Sequence, residues 1–262
     1  MRMYEKSNPE IKAFLPQQKN VKEELTSFDK PIKDAGINYK KEDSFLLPKS
    51  FFVIISGGEV RERNYFKIIL NQDKFGRIKI EFISDPKQLN PDGLLETALF
   101  KKEHYKTSQE NSPDLIFIVS DMDHFYNDIV RIKSECVKAN ISLIISNSCF
   151  EIWLYYGRFE IKPTDFIIPE DNLKISKAFK TYLGNKVKGG VNPVEAIFDI
   201  LVAIKNAKNN YEEDAYSIPK LFSTNMFVLA EKILPLIDSE LKKLFEENKL
   251  NKLNYGKIHL SI

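Results

Sequence analysis

Two carboxylates one residue apart, Asp121 and Asp123, come directly after the apolar run Leu115 to Val119. That run is rich in β-branched residues, does not alternate, and is bounded by Ser112-Pro113 and by acid, which reads as a central strand of a parallel sheet covered on both faces. Side chains at the carboxyl end of such a strand stand at the crevice where α/β sheets bind ligands. Oxygen donors there suit a hard divalent cation, Mg²⁺ or Mn²⁺, held through one or two carboxylates, water and substrate phosphate. The same acids could instead cap the helix that follows.

A second set of acids lies in Gly57-Gly58-Glu59-Val60-Arg61-Glu62, just after the apolar run Phe51 to Ile55. In a parallel sheet this turn is at the same end as the Asp pair, so Glu59 or Glu62 can join Asp121 and Asp123 about one metal. The plainer reading is a strand-to-helix turn whose acids favour the helix amino terminus. A P-loop is excluded because no Gly-Lys-Ser/Thr follows, and a dinucleotide fingerprint would need a third spaced glycine. Glu151 follows the run Ser142 to Ile145 and is a further metal-site or orienting acid, or a helix-start charge. His124 could move a proton or hold a phosphate, or be a solvated loop residue. Arg61, Arg63, Lys186 and Lys188, with Lys180, are candidate phosphate contacts. Trp153, Tyr155 and Tyr156 could stack on bases or fill the core.

The elements that must position these residues alternate. Strands are predicted at Phe51 to Ile55, Ile78 to Ser84, Leu115 to Val119 and Ser142 to Ile145, with helical periodicity between them and Asn90 capping a helix near Leu94 to Tyr105. Such alternation gives an α/β fold with a mostly parallel sheet flanked by helices. Ile78 to Ser84 alternates more than the others and is placed toward the sheet edge. Beyond the loop Lys162 to Lys174 only helices are predicted, over Ile175 to Leu183, Pro193 to Ala207, Thr224 to Ile237 and Asp238 to Asn248. The chain thus divides into a polar arm over 1–48, an α/β domain over 49–160 and a helical carboxyl-terminal extension over 161–262 packed on the same core.

Composition narrows the class. With 43 % hydrophobic and 29 % charged residues the 262-residue chain is globular, and a net charge of +2 means that any basic face must be local. Cys136 and Cys149 form no CxxC pair, so a reducing compartment is expected. No apolar stretch reaches membrane-spanning length and the first residues lack the apolar core of a signal peptide, so a cytoplasmic protein without membrane contact is expected.

The order of these blocks resembles the RloB-like family of Toprim-like nucleases, encoded beside restriction and phage-defence genes. Gly58, Glu59, Glu62, Asn64, Tyr65 and Phe66 match its first block, and Asp121 and Asp123 its second. Ser146, Asn147, Cys149, Phe150, Glu151, Trp153 and Leu154 match the third, which is the most distinctive. The resemblance implies a Toprim-like, Rossmann-like fold and a Mg²⁺- or Mn²⁺-dependent endonuclease acting on DNA or RNA, tRNA included, as an effector of antiviral defence. It also implies an ATPase partner from the same locus, and homo-oligomers are compatible with it. Catalytic roles fall on Glu59, Glu62, Asp121, Asp123 and Glu151, with Asp121, Asp123 and Glu59 as the metal ligands. Gly57 stands where the Toprim pattern has a Glu, and Ser148 where the family has Pro. Two expectations follow: a nuclease in which Glu59 or Glu62 replaces the lost acid, or a catalytically inactive binding subunit of a defence complex.

Overall fold

The computed structural model describes residues 50–71, 73–84, 90–108 and 112–258, with side chains through 248; the arm expected over 1–48 lies outside the described residues. Four parallel strands form the sheet: β1 (Ser50–Ser56), β2 (Ile78–Ile83), β3 (Leu115–Asp121) and β4 (Ser142–Asn147). A two-residue antiparallel strand, β5 (Ser223–Thr224), completes the order β2-β1-β3-β4-β5. The chain leaves β1 toward β2 on one side and returns to β3 on the other. The crevice of a parallel sheet opens at such a reversal, here between the carboxyl ends of β1 and β3.

Both faces of β1 and β3 are buried, which explains their unbroken apolar runs. Phe52, Ile54, Phe117 and Val119 pack toward α1 (Arg61–Leu70), α4 (Glu151–Tyr156), α5 (Ile175–Lys186), α7 (Ile200–Asn209) and α8 (Met226–Ile258). Phe51, Val53, Ile55, Ile116 and Ile118 pack on the other face toward α2 (Pro91–Thr107) and α3 (Tyr126–Lys138). The result is a sheet between two helical layers. Asn90 caps α2 as its sequence suggests, accepting from the Gly93 N–H at 2.9 Å. β2, the alternating strand, is at the edge as expected.

Three features of the carboxyl-terminal region differ from the sequence reading. Only helices are expected there, yet β5 pairs with the outer side of β4, a bridge too short to leave an alternating pattern. The helix predicted over Pro193 to Ala207 is broken by a 3-10 turn, Ile197–Asp199, between α6 (Pro193–Ala196) and α7. The two helices predicted around Asp238 are one, α8, which runs through Pro235. Buried Ile233 and Ile237 keep its apolar face continuous across the proline, and Asp238 pairs with Lys242 at 2.7 Å rather than capping a new helix. Among the described residues no helix is long and apolar enough to cross a membrane.

β4 holds its place through a side chain that imitates a strand. Asn225 accepts from the Ile145 N–H through Oδ1 at 2.6 Å and donates from Nδ2 to the Leu143 carbonyl at 3.0 Å, while its own N–H donates to the Ile145 carbonyl at 3.2 Å. These bonds satisfy the outer edge of β4 where β5 has turned into α8. Asn225→Ala leaves an N–H and a carbonyl of a half-buried strand unpaired and is expected to cost about 2–3 kcal/mol. A denaturant midpoint lowered at unchanged m-value checks this.

Candidate functional site

The ends of β1, β3 and β4 deliver the candidate residues to one place. The Gly57 N–H donates to the Val119 carbonyl at 3.0 Å, fixing the β1 turn against β3. The Met122 N–H donates to the Ser146 carbonyl at 2.9 Å and the Asp123 N–H to the Ser148 carbonyl at 3.2 Å, fixing Asp121-Met122-Asp123 against the end of β4. α1 and α4 then start beside each other, with Glu62 in the first turn of one and Glu151 at the first position of the other.

Three carboxylates gather there, near enough for their charges to act on one another. Glu62 and Glu151 are buried and Asp121 is half-buried. Burial pushes the Asp121 carboxyl well above the ordinary carboxylate range, and the charges of Glu62 and Glu151 push it the same way, with Lys180 opposing and Asp123 adding a smaller push upward. Glu62 is raised too, first by burial, against its backbone N–H, with Glu151 adding to the shift and Lys180 and Arg61 reducing it. Two cations answer the cluster: Arg61 Nε lies 3.7 Å from Glu151 Oε1, and Lys180 Nζ lies 3.7 Å from Glu151 Oε2. Partial burial favours the neutral Lys180 amine, but the charges of Glu151, Cys149 and Asp121 outweigh this and raise its pKa. The Cys149 thiol, fully buried beside them, is pushed up by burial and then by Asp121 and Glu151, so it is held as an inert thiol.

Gly58 makes the cluster sterically possible. A Cβ on Gly58 would fall 1.9 Å from Glu62 Oε2 and 2.1 Å from Oε1, so the Glu62 carboxylate lies directly on the glycine. The role of Gly58 is close approach rather than a special backbone conformation.

Asp123 is set apart from this group. Its backbone has φ +35°, a left-handed conformation costly for a non-glycine residue, and its carboxylate accepts a hydrogen bond from the Ser176 hydroxyl of α5. The side chain is exposed at the rim of a cleft of about 560 Å³ lined also by His124, Leu173, Ser176, Lys177 and Lys180. His124 is exposed, its ring 4.0 Å from that of Phe125.

The structure therefore brings together Asp121, Glu62, Glu151 and Arg61, with Asp123 and His124 at the rim. Glu59 is exposed on the turn. Arg63 lies over the Phe82 ring at 5.8 Å, beside β2. Lys186 pairs with Asp165 at 2.5 Å, and Lys188 is exposed beyond the end of α5. Trp153, Tyr155 and Tyr156 are buried core residues, which excludes them as base-stacking platforms. Ser176, which reaches Asp123 from 53 positions away, is missing from the residues that sequence reasoning selects, because nothing local marks it.

The residues match a sequence family. The model of the RloB-like protein family covers residues 52–233. The chain belongs to the RloB-like family. No curated protein and no solved structure matches it. In this RloB-like chain the matched segment runs from β1 into α8 and so includes the carboxylate cluster and α5.

The donor chemistry of the cluster, acidic oxygen with too few cations to neutralise it, suits a hard divalent ion. Its spacing is looser: among the described residues no three His, Cys, Asp or Glu side chains stand close enough to hold one. A raised carboxyl pKa also has a consequence for stability. Folded Asp121 keeps its proton to higher pH than the unfolded chain, whose value is about 3.9, so its contribution to stability is full below that value and is lost as pH rises through the folded one. Asp121→Asn is therefore expected to melt at a higher temperature than wild type at pH 8, the gap closing toward pH 4; thermal unfolding across this range measures it.

Proposed function

We propose that this RloB-like chain is a metal-dependent nuclease of antiviral defence, hydrolysing phosphodiester bonds in DNA or RNA. The observation that supports this best is the group of desolvated carboxylates at the reversal between β1 and β3, beside a cleft lined by Lys177 and Lys180. Burying like charges together costs stability, and such pairs are usual where catalysis requires them. Asp121, Glu62 and Glu151 would hold Mg²⁺ or Mn²⁺ only by drawing closer together than they stand here, and such an ion would supply charge to neutralise the scissile phosphate and lower the pKa of an attacking water. Glu62, buried beside Asp121 while Glu59 is exposed, takes the part of the acid missing at Gly57.

The protein's own groups then have separable tasks. Lys177 and Lys180 bind the phosphate backbone at the cleft. His124, exposed at the rim, is placed to pass a proton to the leaving oxygen. Ser176 holds Asp123, and with it the turn after β3, in its strained conformation. An ATPase partner and assembly into homo-oligomers belong to this proposal as the source of control.

A second reading, a non-catalytic binding subunit, draws on the spacing of the acids and on Gly57. Cleavage of labelled DNA and of total tRNA with Mg²⁺ or Mn²⁺ separates the two. The nuclease predicts metal-dependent cleavage that Asp121→Asn and Glu62→Gln each reduce by about a hundredfold or more, with Glu59→Gln losing less. No cleavage by the wild-type chain, alone or with the ATPase of its locus, would falsify the nuclease and leave the binding subunit.

A further inference from the structure

The start of α5 carries a row of cations of which only Lys180 also serves the carboxylate cluster. Lys174, the last residue of the 3-10 turn Asn172–Lys174, is followed at three-residue spacing by Lys177 and Lys180 on α5, and all three are exposed. The stripe connects two hollows. One is the cleft beside Asp123, which Lys177 and Lys180 line. The other is a groove of about 610 Å³ on the far side of the helix, lined by Lys174 and Lys177 together with Phe166, Ile167, Pro169 and Tyr182. Lys177 lines both, so cleft and groove adjoin at its side chain.

The groove is unusual in being apolar and open. Ile167 is 88 % exposed and Leu173, at the cleft end, 68 %. Exposed apolar surface beside a row of cations is poorly suited to face water alone and marks a binding site. Acids along the stripe are already engaged, Asp171 with Lys174 at 3.2 Å, Asp165 with Lys186 at 2.5 Å and Asp123 with the Ser176 hydroxyl. Lys177 has no carboxylate partner among the described residues, and Lys180, at 3.7 Å from Glu151, has ammonium hydrogens left to donate.

From this we infer that α5 is the track for a single-stranded polynucleotide, which deepens the nuclease reading and rests on it. The strand's phosphates lie on Lys174, Lys177 and Lys180, its bases lodge against Phe166, Ile167 and Tyr182, and its backbone leads past Ser176 to Asp121. A duplex keeps its bases stacked inside and has nothing to place in an apolar groove. A single strand presents both phosphates and base faces, the combination that single-strand binders recognise. DNA and RNA share this chemistry.

The test is equilibrium binding of fluorescein-labelled DNA and RNA strands of about 16 nucleotides, and of the matching duplexes, in EDTA on the Asp121→Asn chain. Cleavage then plays no part in the readout. Single strands are expected to bind more tightly than duplex. Replacing Lys174, Lys177 and Lys180 together by Gln should weaken binding and flatten the plot of log K against log salt by about 2, at about 0.7 for each phosphate that is no longer neutralised. Ile167→Ser should weaken binding with the slope unchanged, and Lys242→Gln with Lys243→Gln on α8 should alter neither; circular dichroism melts confirm folding. An unchanged slope in the triple variant, equal or tighter duplex binding, or no binding at all would overturn the track. If the track stands while wild type shows no metal-dependent cleavage, the catalytic reading falls alone.

Discussion

The cost of holding Asp121, Glu62 and Glu151 together out of water is the constraint around which the rest of the structure is arranged. Carboxylates in a low dielectric repel one another and lose hydration, so they stay close only where surrounding structure leaves no alternative. Here the backbone of β3 is pinned to β4 through Met122 and Asp123, and the turn after β1 is pinned to β3 through Gly57. Gly58 removes the one Cβ that would push Glu62 away. Arg61 and Lys180 relieve part of the charge, each reaching a different oxygen of Glu151. A group this costly, kept in a crevice, is more readily explained by what it binds than by what it stabilises.

The sheet order makes the cluster possible. β1 and β3 are neighbours although α1, β2 and α2 separate them in sequence, so Glu62 and Asp121 meet despite their distance along the chain. Both central strands are apolar on both faces, which locks their register and leaves little freedom at their ends. The later helices supply the other wall. α5 carries Ser176 and Lys180 to the β3 end, and α8 begins just after Asn225, the residue that completes β4. The carboxyl-terminal helices also add Met226, Leu229 and Ile233 to the same apolar cluster as Phe52 and Ile54.

Much of this is legible in the sequence because it follows from local pattern. Unbroken apolar runs mark the parallel strands, alternation marks the edge position of β2, and acids after strand ends mark the crevice. What is not legible depends on distance. Whether Glu59 or Glu62 reaches Asp121 turns on the path of a tight turn and on a missing methyl group at Gly58, and spacing alone does not decide between them. Ser176 and β5 leave no periodic trace. α8 reads as two helices because a proline and a capping-type Asp look like a boundary, while the burial of Ile233 and Ile237 that carries the helix across them is a tertiary effect. The aromatic block Trp153, Tyr155 and Tyr156 could be a binding platform by composition, and only packing shows it to be core.

The proposal turns on whether these carboxylates close on a metal ion, and calorimetric titration of the protein with Mn²⁺ tests it most directly. Saturable binding is predicted, lost in Asp121→Asn and weakened in Gly58→Ala, which alters no donor atom and acts only by moving Glu62. Mn²⁺ binding of equal strength in wild type and in both variants, or none in wild type, would contradict the account.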